Sequence, residues 1–138
     1  MNENLIIKPI SYKQTWPIRH VVMYPDFPLE HVILEKDSKG QHFGGFIQGE
    51  LVCVVSLFLG NKEAQFRKLA TKEKHQEKGY GSKMIKHLIT YSKGHGATKF
   101  WCNARENKAT FYHKFGLQKT NKTYIKSGIK FVIMELNF

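Results

Sequence analysis

Carboxylates are scarce in this chain of 138 residues: 11 Asp and Glu stand against 22 Lys and Arg, a formal charge of +11. Such an imbalance implies acidic partners, among which nucleic acid, an anionic membrane and a polyphosphate cofactor all qualify. Cysteine is nearly absent. Cys53 and Cys102 both fall in apolar strand-like runs, without CxxC or Cys/His spacing, and read as two reduced core thiols. The seven histidines show no HxxxH or HExxH spacing, so no metal site is expected. No apolar run approaches the ~20 residues that span a bilayer. Met1-Asn2-Glu3-Asn4 lacks the basic-then-apolar order of a signal peptide. No linker, repeat or low-complexity segment interrupts the chain. The expectation is a soluble cytoplasmic protein with no membrane partner, folded as one domain over residues 1–138.

What is present is a 41% share of hydrophobic residues arranged in two periodicities. Leu5-Ile6-Ile7-Lys8-Pro9 reads as a short strand ended by proline. Ser11 is placed to cap a helix carrying Tyr12, Trp16, Arg19 and Val22, in which Pro17 predicts a late start or a kink. Residues 24–39 read as loop with one short helical turn, and Asp37-Ser38-Lys39-Gly40 as turn chemistry. Residues 42–48 and 51–59 are strand runs joined as a hairpin around Gly49-Glu50, and a third run at 64–70 extends an antiparallel meander. The period then changes. Met84, Ile85, Leu88, Ile89 and Tyr91 share one helical face, and Gly94 and Gly96 end the helix. Lys99-Phe100-Trp101-Cys102-Asn103 returns to strand, closing a βαβ unit in which residues 66–70 and 99–103 are expected to be parallel neighbours. A short helix at 107–115, ended by Gly116, and strands at 118–124 and 129–137 complete the chain. The fold class is α/β, with a mixed, mostly antiparallel sheet.

The junction inside that βαβ unit carries the chemistry. Gln76-Glu77-Lys78-Gly79-Tyr80-Gly81 opens the helix, and two glycines one residue apart leave main-chain N–H groups bare. A helix start adds unpaired N–H groups and the positive end of its dipole, which together suit a phosphate or pyrophosphate. Residues 62–99 hold ten Lys/Arg against three Glu, so +7 of the net charge surrounds this loop. A dinucleotide fingerprint is excluded, because Met84 stands where its third glycine belongs and residues 92–104 hold no acid for the ribose. A Walker loop is excluded because Ser82-Lys83 follows Gly81 in the wrong order.

With its flanks the motif becomes more specific. Phe66-Arg67-Lys68-Leu69-Ala70-Thr71, followed by His75 and Gln76 to Ser82, resembles the acetyl-CoA motif of the GNAT N-acetyltransferase superfamily. Asn103-Ala104-Arg105, Ala109 and Phe111-Tyr112-His113-Lys114-Phe115-Gly116-Leu117 resemble a later block of the same family. The resemblance covers residues 64–117 and implies a GNAT-like sheet with a βαβ cofactor unit and flanking helices. It implies that Leu69, Ala70 and Thr71 run beside the pantetheine arm. Gln76, Glu77, Lys78, Gly79, Tyr80, Gly81 and Ser82 would wrap the pyrophosphate, Lys78 adding its charge. Asn103 or Asn107 would reach the cofactor, and Tyr112 would protonate the departing thiolate. The reaction implied is acetyl transfer from acetyl-CoA to a primary amine of a small molecule, peptide or protein, by direct attack in a ternary complex.

The chain departs from the family at the general base. The strand before the motif offers Gln65, Arg67 and Lys68 and no carboxylate after Glu63, and Phe131 stands where the family often has histidine. Glu30, His31, His75, His113 or a water chain are left as routes for the amine proton. Residues 12–35 and the last strands are expected to build the acceptor pocket, with Trp16, Tyr24, Phe27 and His31 as aromatic bulk, Trp16 read as core rather than pocket. Two other readings compete: a basic nucleic-acid-binding module, which explains the charge but not the glycine loop, and a non-catalytic acyl-CoA sensor of the same fold. Nothing specifies an interface, so monomer and homodimer stand equally.

Overall fold

The computed structural model describes residues 4–138, so the opening three residues lie outside it. One sheet contains β1 (Ile6–Ile10), β2 (Gln41–Ile47), β3 (Glu50–Gly60), β4 (Glu63–Thr71), β5 (Lys99–Arg105), β6 (Gln118–Lys126) and β7 (Ile129–Asn137). Their spatial order is β1-β2-β3-β4-β5-β7-β6, and β4/β5 is the parallel pair among antiparallel neighbours. Helices α1 (Tyr12–Met23), α2 (Tyr80–Gly94) and α3 (Ala109–His113) flank the sheet. The expected mixed sheet with its βαβ unit is present.

Local chemistry explains most of the boundaries. The β2–β3 hairpin turns at Gln48-Gly49, one residue before the expected position, with φ of 48° and 82°. Two left-handed residues give a two-residue turn whose twist matches the strands it joins. Helix α1 begins at Tyr12 because Ser11 and Gln14 form a capping box, the Gln14 Oε1 accepting from the Ser11 N–H at 2.9 Å. Pro17 neither delays nor ends it. It sits on the exposed side of the helix, as does Lys13, so the carbonyl it leaves unbonded one turn earlier can be solvated. Residues 24–39 contain two 3-10 turns, Leu29–Val32 and Asp37–Lys39, rather than one. The expected helix at 107–115 is split into a 3-10 turn, Glu106–Lys108, and α3.

One register differs from expectation in a way that makes the site. β4 pairs with β5 through Glu63↔Lys99, Ala64↔Phe100 and Gln65↔Trp101, and no further. Residues 66–70 and 99–103 are therefore not paired as a block; the strands part after Gln65. A bulge on β4 accompanies the parting. Between Ser56↔Arg67 and Val54↔Ala70 the β4 strand carries one extra residue, and Lys68 takes φ 59°. Such a bulge bends its strand away from the ladder.

The core fills around that gap. On one face Met84, Ile85 and Leu88 of α2 pack with Phe66, Phe100, Leu117 and Met134, and the Phe66 and Phe100 rings stack at 4.8 Å. Full burial of such side chains contributes roughly 1.5–3 kcal/mol each. On the other face a smaller cluster joins Ile18 of α1 to Val54 and Ala70.

Candidate functional site

A cavity of about 890 Å³ opens where β4 leaves β5. Its α2 side is largely backbone. Thr71 ends β4, the Gln76 side-chain amide donates to the Thr71 carbonyl at 2.9 Å, and the loop between them is thereby closed. Glu77 and Gly79 take φ of 63° and 82°, which turns the chain into α2. Gly79 is the N-cap and supplies no side-chain cap, and the first turn of α2 holds no acidic residue. The opening N–H groups of α2 are thus left for a ligand, with the dipole behind them.

Most of the residues singled out in the sequence meet here. Leu69, Ala70, Thr71, Gln76, Glu77, Gly79, Tyr80, Gly81, Ser82, Asn103 and Tyr112 all line the cavity. Tyr80 has its side chain in the core, 5% exposed, so main-chain groups are what it offers. Lys78 and Asn107 are exposed and lie outside the cavity wall. Gly81 is close-packed without strain: a Cβ there would meet Phe111 at 3.5 Å and Leu69 at 3.7 Å, ordinary contact distances.

Tyr112, on α3, packs its ring against Phe66 at 5.4 Å and Phe111 at 5.2 Å between centroids. Its hydroxyl forms no hydrogen bond among the described residues. Burial, with Cys102 adding and Arg105 opposing, holds the phenol well above its ordinary range, so it is neutral. Both cysteines are free and buried. Burial pushes Cys102 up to about 12 and Cys53 to about 11, which makes them inert core thiols. Of the residues considered for proton removal, His31 and His75 line the cavity, while Glu30 and His113 do not.

The α1 side was not foreseen. Arg19, fully buried, donates to Asp37 through Nη1 at 2.8 Å and Nη2 at 2.9 Å, to the Val32 carbonyl at 2.9 Å and to Ser56 Oγ at 2.7 Å. Asp37 also accepts from the Trp16 indole at 3.0 Å and the Leu34 N–H at 2.9 Å. Burial opposes the Asp37 charge, yet hydrogen bonds from Arg19, Leu34 and Trp16, with the Arg19 charge, outweigh it and hold the carboxyl below its usual range. His42 stands 2.7 Å from Ser56 Oγ through Nδ1 and 2.7 Å from the Asp37 carbonyl through Nε2. A carbonyl only accepts, so Nε2 carries the proton and Nδ1 accepts from Ser56. Burial keeps His42 below its ordinary pKa, consistent with that neutral form. The network pins α1 and the 24–39 segment to the sheet. Trp16 is therefore an anchor, whereas Tyr24 and His31 line the cavity and Phe27 stacks on His31 at 4.2 Å. Nothing in the local sequence marked Arg19 and Asp37 as partners.

The geometry has a family. The model of the acetyltransferase (GNAT) domain matches residues 18–138, and the chain belongs to that family of N-acetyltransferases. An uncharacterized N-acetyltransferase, YitI of Bacillus subtilis, is 29% identical over 134 residues, covering 91% of this chain and 90% of that protein. Among solved structures, an N-acetyltransferase described as putative from Lactobacillus plantarum superposes with a TM-score of 0.85 at 17% identity, over 99% of both chains. A Bacillus subtilis acetyltransferase in complex with CoA does so with a TM-score of 0.78 at 17% identity, over 98% of this chain and 99% of that one. A GNAT acetyltransferase from Elizabethkingia anophelis with acetyl-CoA bound gives 0.76 at 16%, over 99% and 100%. These structures share the fold. Among the described residues no helix is long and apolar enough to cross a membrane.

Proposed function

We propose that the cavity binds acetyl-CoA and transfers its acetyl group to a primary amine within a ternary complex. The observation that carries this reading is the parting of β4 from β5 after Gln65, which joins the open N–H groups of α2 to the Tyr112 phenol in one cleft. The pyrophosphate suits the main chain of Gln76 to Ser82, and the pantetheine arm suits the unpaired edge at Leu69, Ala70 and Thr71. Asn103 also lines the cavity, whereas Lys78 and Asn107 are exposed outside its wall. That CoA or acetyl-CoA occupies two of the similar structures supports the assignment.

The amine nitrogen attacks the thioester carbon, forming a C–N bond and a tetrahedral oxyanion. A main-chain N–H near Leu69 to Thr71 stabilises that charge. The C–S bond then breaks, and the proton lost by nitrogen balances the one gained by sulfur. A phenol held above its ordinary range is a weaker acid than a thiol of pKa ~8.5. Tyr112 therefore acts chiefly by donating a hydrogen bond to sulfur as charge develops there. Bringing two activated substrates together supplies the remainder of the rate. His31 and His75, the two histidines in the wall, are the candidates to receive the amine proton.

Thermal melting tests the first step. Acetyl-CoA at 1 mM must raise the midpoint, because a ligand of the native state stabilises it. An unmoved midpoint removes the donor site, and steep salt-dependent binding of duplex DNA without a cofactor effect would favour the nucleic-acid reading instead. Thiol release from acetyl-CoA across an amine panel tests the second step and separates an enzyme from a sensor.

A further inference from the structure

The α1 end of the cavity is cationic without counter-ions. Lys68, on the β4 bulge, and Arg105, at the end of β5, flank one buried ring: the Lys68 Nζ is 4.9 Å and the Arg105 Cζ 5.1 Å from the centroid of Tyr24. Arg67 on β4 and Lys126 on β6 join them in the wall. None of the four pairs with a carboxylate among the described residues. Asp37, the one acid acting on Arg67, is committed to Arg19 at both carboxylate oxygens. Arg105 gives Nη2 to the Met23 carbonyl at 3.2 Å, and its buried Nε has no partner. Among the described residues that line the cavity, Glu77 is the sole acidic one, and it belongs to the glycine loop.

Like charges gathered in a half-buried cleft raise one another's free energy. Lys68 registers the cost: burial first, then Arg67, Arg19, Lys126 and Arg105, bring its ammonium down to about 8. No group in that set belongs to the glycine loop, so this cluster is distinct from the site assigned to the donor pyrophosphate. Cations maintained at such a cost mark a place where the counter-ion arrives with the ligand. Beside them Tyr124 stacks on Phe131 at 5.2 Å and 12°, a flat apolar wall for the carbon skeleton between the charged group and the amine.

We infer that the acceptor is a small primary amine carrying a carboxylate or phosphate, which Lys68, Arg105 and Lys126 hold while its amino group faces the thioester. The inference rests on the acetyl-transfer reading of the cavity. It disfavours polyamines and lysine-rich tails, whose second cation would enter the same field.

Matched amines test it. Initial rates of CoA release are measured at saturating acetyl-CoA for β-alanine against β-alaninamide, O-phosphoethanolamine against ethanolamine, and putrescine. The expected result is a kcat/KM at least about tenfold higher for the anionic member of one pair, and the pair that responds identifies carboxylate or phosphate. Lys126→Gln, at an exposed strand position, lowers the anionic-to-neutral ratio about tenfold, the effect of one lost charged hydrogen bond. Lys68→Gln does the same while the midpoint shift by acetyl-CoA is retained. Equal or faster turnover of the neutral amines or putrescine overturns the inference, as does a ratio unchanged in both variants. A second readout does not need turnover: β-alanine, O-phosphoethanolamine and N-acetyl-β-alanine are melted with the protein at saturating CoA. A raised midpoint that Lys126→Gln abolishes supports the site. If acetyl-CoA shifts the midpoint but no anion is turned over or shifts it, the inference falls and the donor reading stands. If acetyl-CoA shifts nothing, both fall.

Discussion

On the α2 side, the cavity is lined by Thr71, Gly79, Gly81 and the uncapped start of a helix, held by a loop that closes on itself over five residues. On the α1 side the wall is made of side chains, and the network beneath it ties Arg19 to Asp37 and to Ser56, 18 and 37 residues away. The first arrangement depends on bare main chain, where an added side chain hinders a ligand's approach while leaving the fold intact. The second depends on a few side chains, since removing one partner leaves a buried charge exposed to its neighbours. The two sides should therefore fail differently when mutated.

The largest effect is expected on the α1 side. Asp37→Ala strands the buried Arg19 guanidinium, and breaking such a pair costs about 3–5 kcal/mol. Urea unfolding measures it, and a loss below about 1 kcal/mol would mean that the network does not anchor α1. Next comes Tyr112→Phe, which removes the hydrogen bond proposed to sulfur. A fall in kcat of about 100-fold is expected, at the lower end for proton donors because the phenol is a weak acid. The midpoint shift by acetyl-CoA should persist; unchanged turnover would take Tyr112 out of the mechanism.

Gly81→Ala sharpens the contrast by touching only the backbone side. A Cβ fits at ordinary contact distances, and alanine is favoured over glycine inside a helix by roughly 0.5–1 kcal/mol, so melting should hold or rise. Acetyl-CoA affinity should fall about tenfold if main-chain approach is what binds phosphate, a loss of about 1.4 kcal/mol. Intact affinity would break the comparison.

The α1 side should also carry a pH dependence. Lys68, with its ammonium near 8, is faced by Arg67, Arg19, Lys126, Arg105 and the Tyr24 ring. Its cationic fraction falls about tenfold between pH 7 and 9. KM for an anionic acceptor should rise by about that factor, whereas Lys68→Arg should flatten the profile. Without ligand the sign reverses for stability. The folded value lies below the unfolded one of about 10.5, so stability rises with pH between roughly 8 and 10.5. The smallest effect is at the acid end. His42, faced by Asp37, Arg19 and Ser56, is depressed in the folded state, so the unfolded chain takes up the proton first and stability falls as pH drops below about 6.5. Asp37 adds to the loss only further down, as pH passes through its lowered value. A melting midpoint flat from pH 7 to 5 would contradict this.

The legible parts of the molecule were those whose causes lie close in sequence. Ser11 and Gln14 sit three residues apart and set the start of α1 through their own bonds. The strand runs at 42–48, 51–59 and 64–70, each separated by turn residues, marked a meander, and the change of period after the glycines marked α2. The glycine loop was readable because its geometry depends on residues that follow one another. Where the reading slipped, a distant cause intervened. Pro17 predicted a late start or a kink, and a helix anchored by Arg19 two residues on continues through it. Residues 66–70 were expected to pair with 99–103, but the ladder ends at Gln65, and a bulge set by the register with β3 lies just beyond, between Arg67 and Ala70.

By itself, then, the sequence determined the order of elements, the phosphate-suited helix start and Tyr112 as a phenol within an apolar block. Each is a matter of neighbours one to four residues apart, where backbone hydrogen bonding and periodicity act. Tertiary structure alone decided that Arg67, Lys68, Arg105 and Lys126 share one cleft without a carboxylate partner among the described residues. Residues on strands β4, β5 and β6 become neighbours only when the sheet has its order and its bulge, and charge acts through the space between them rather than along the chain.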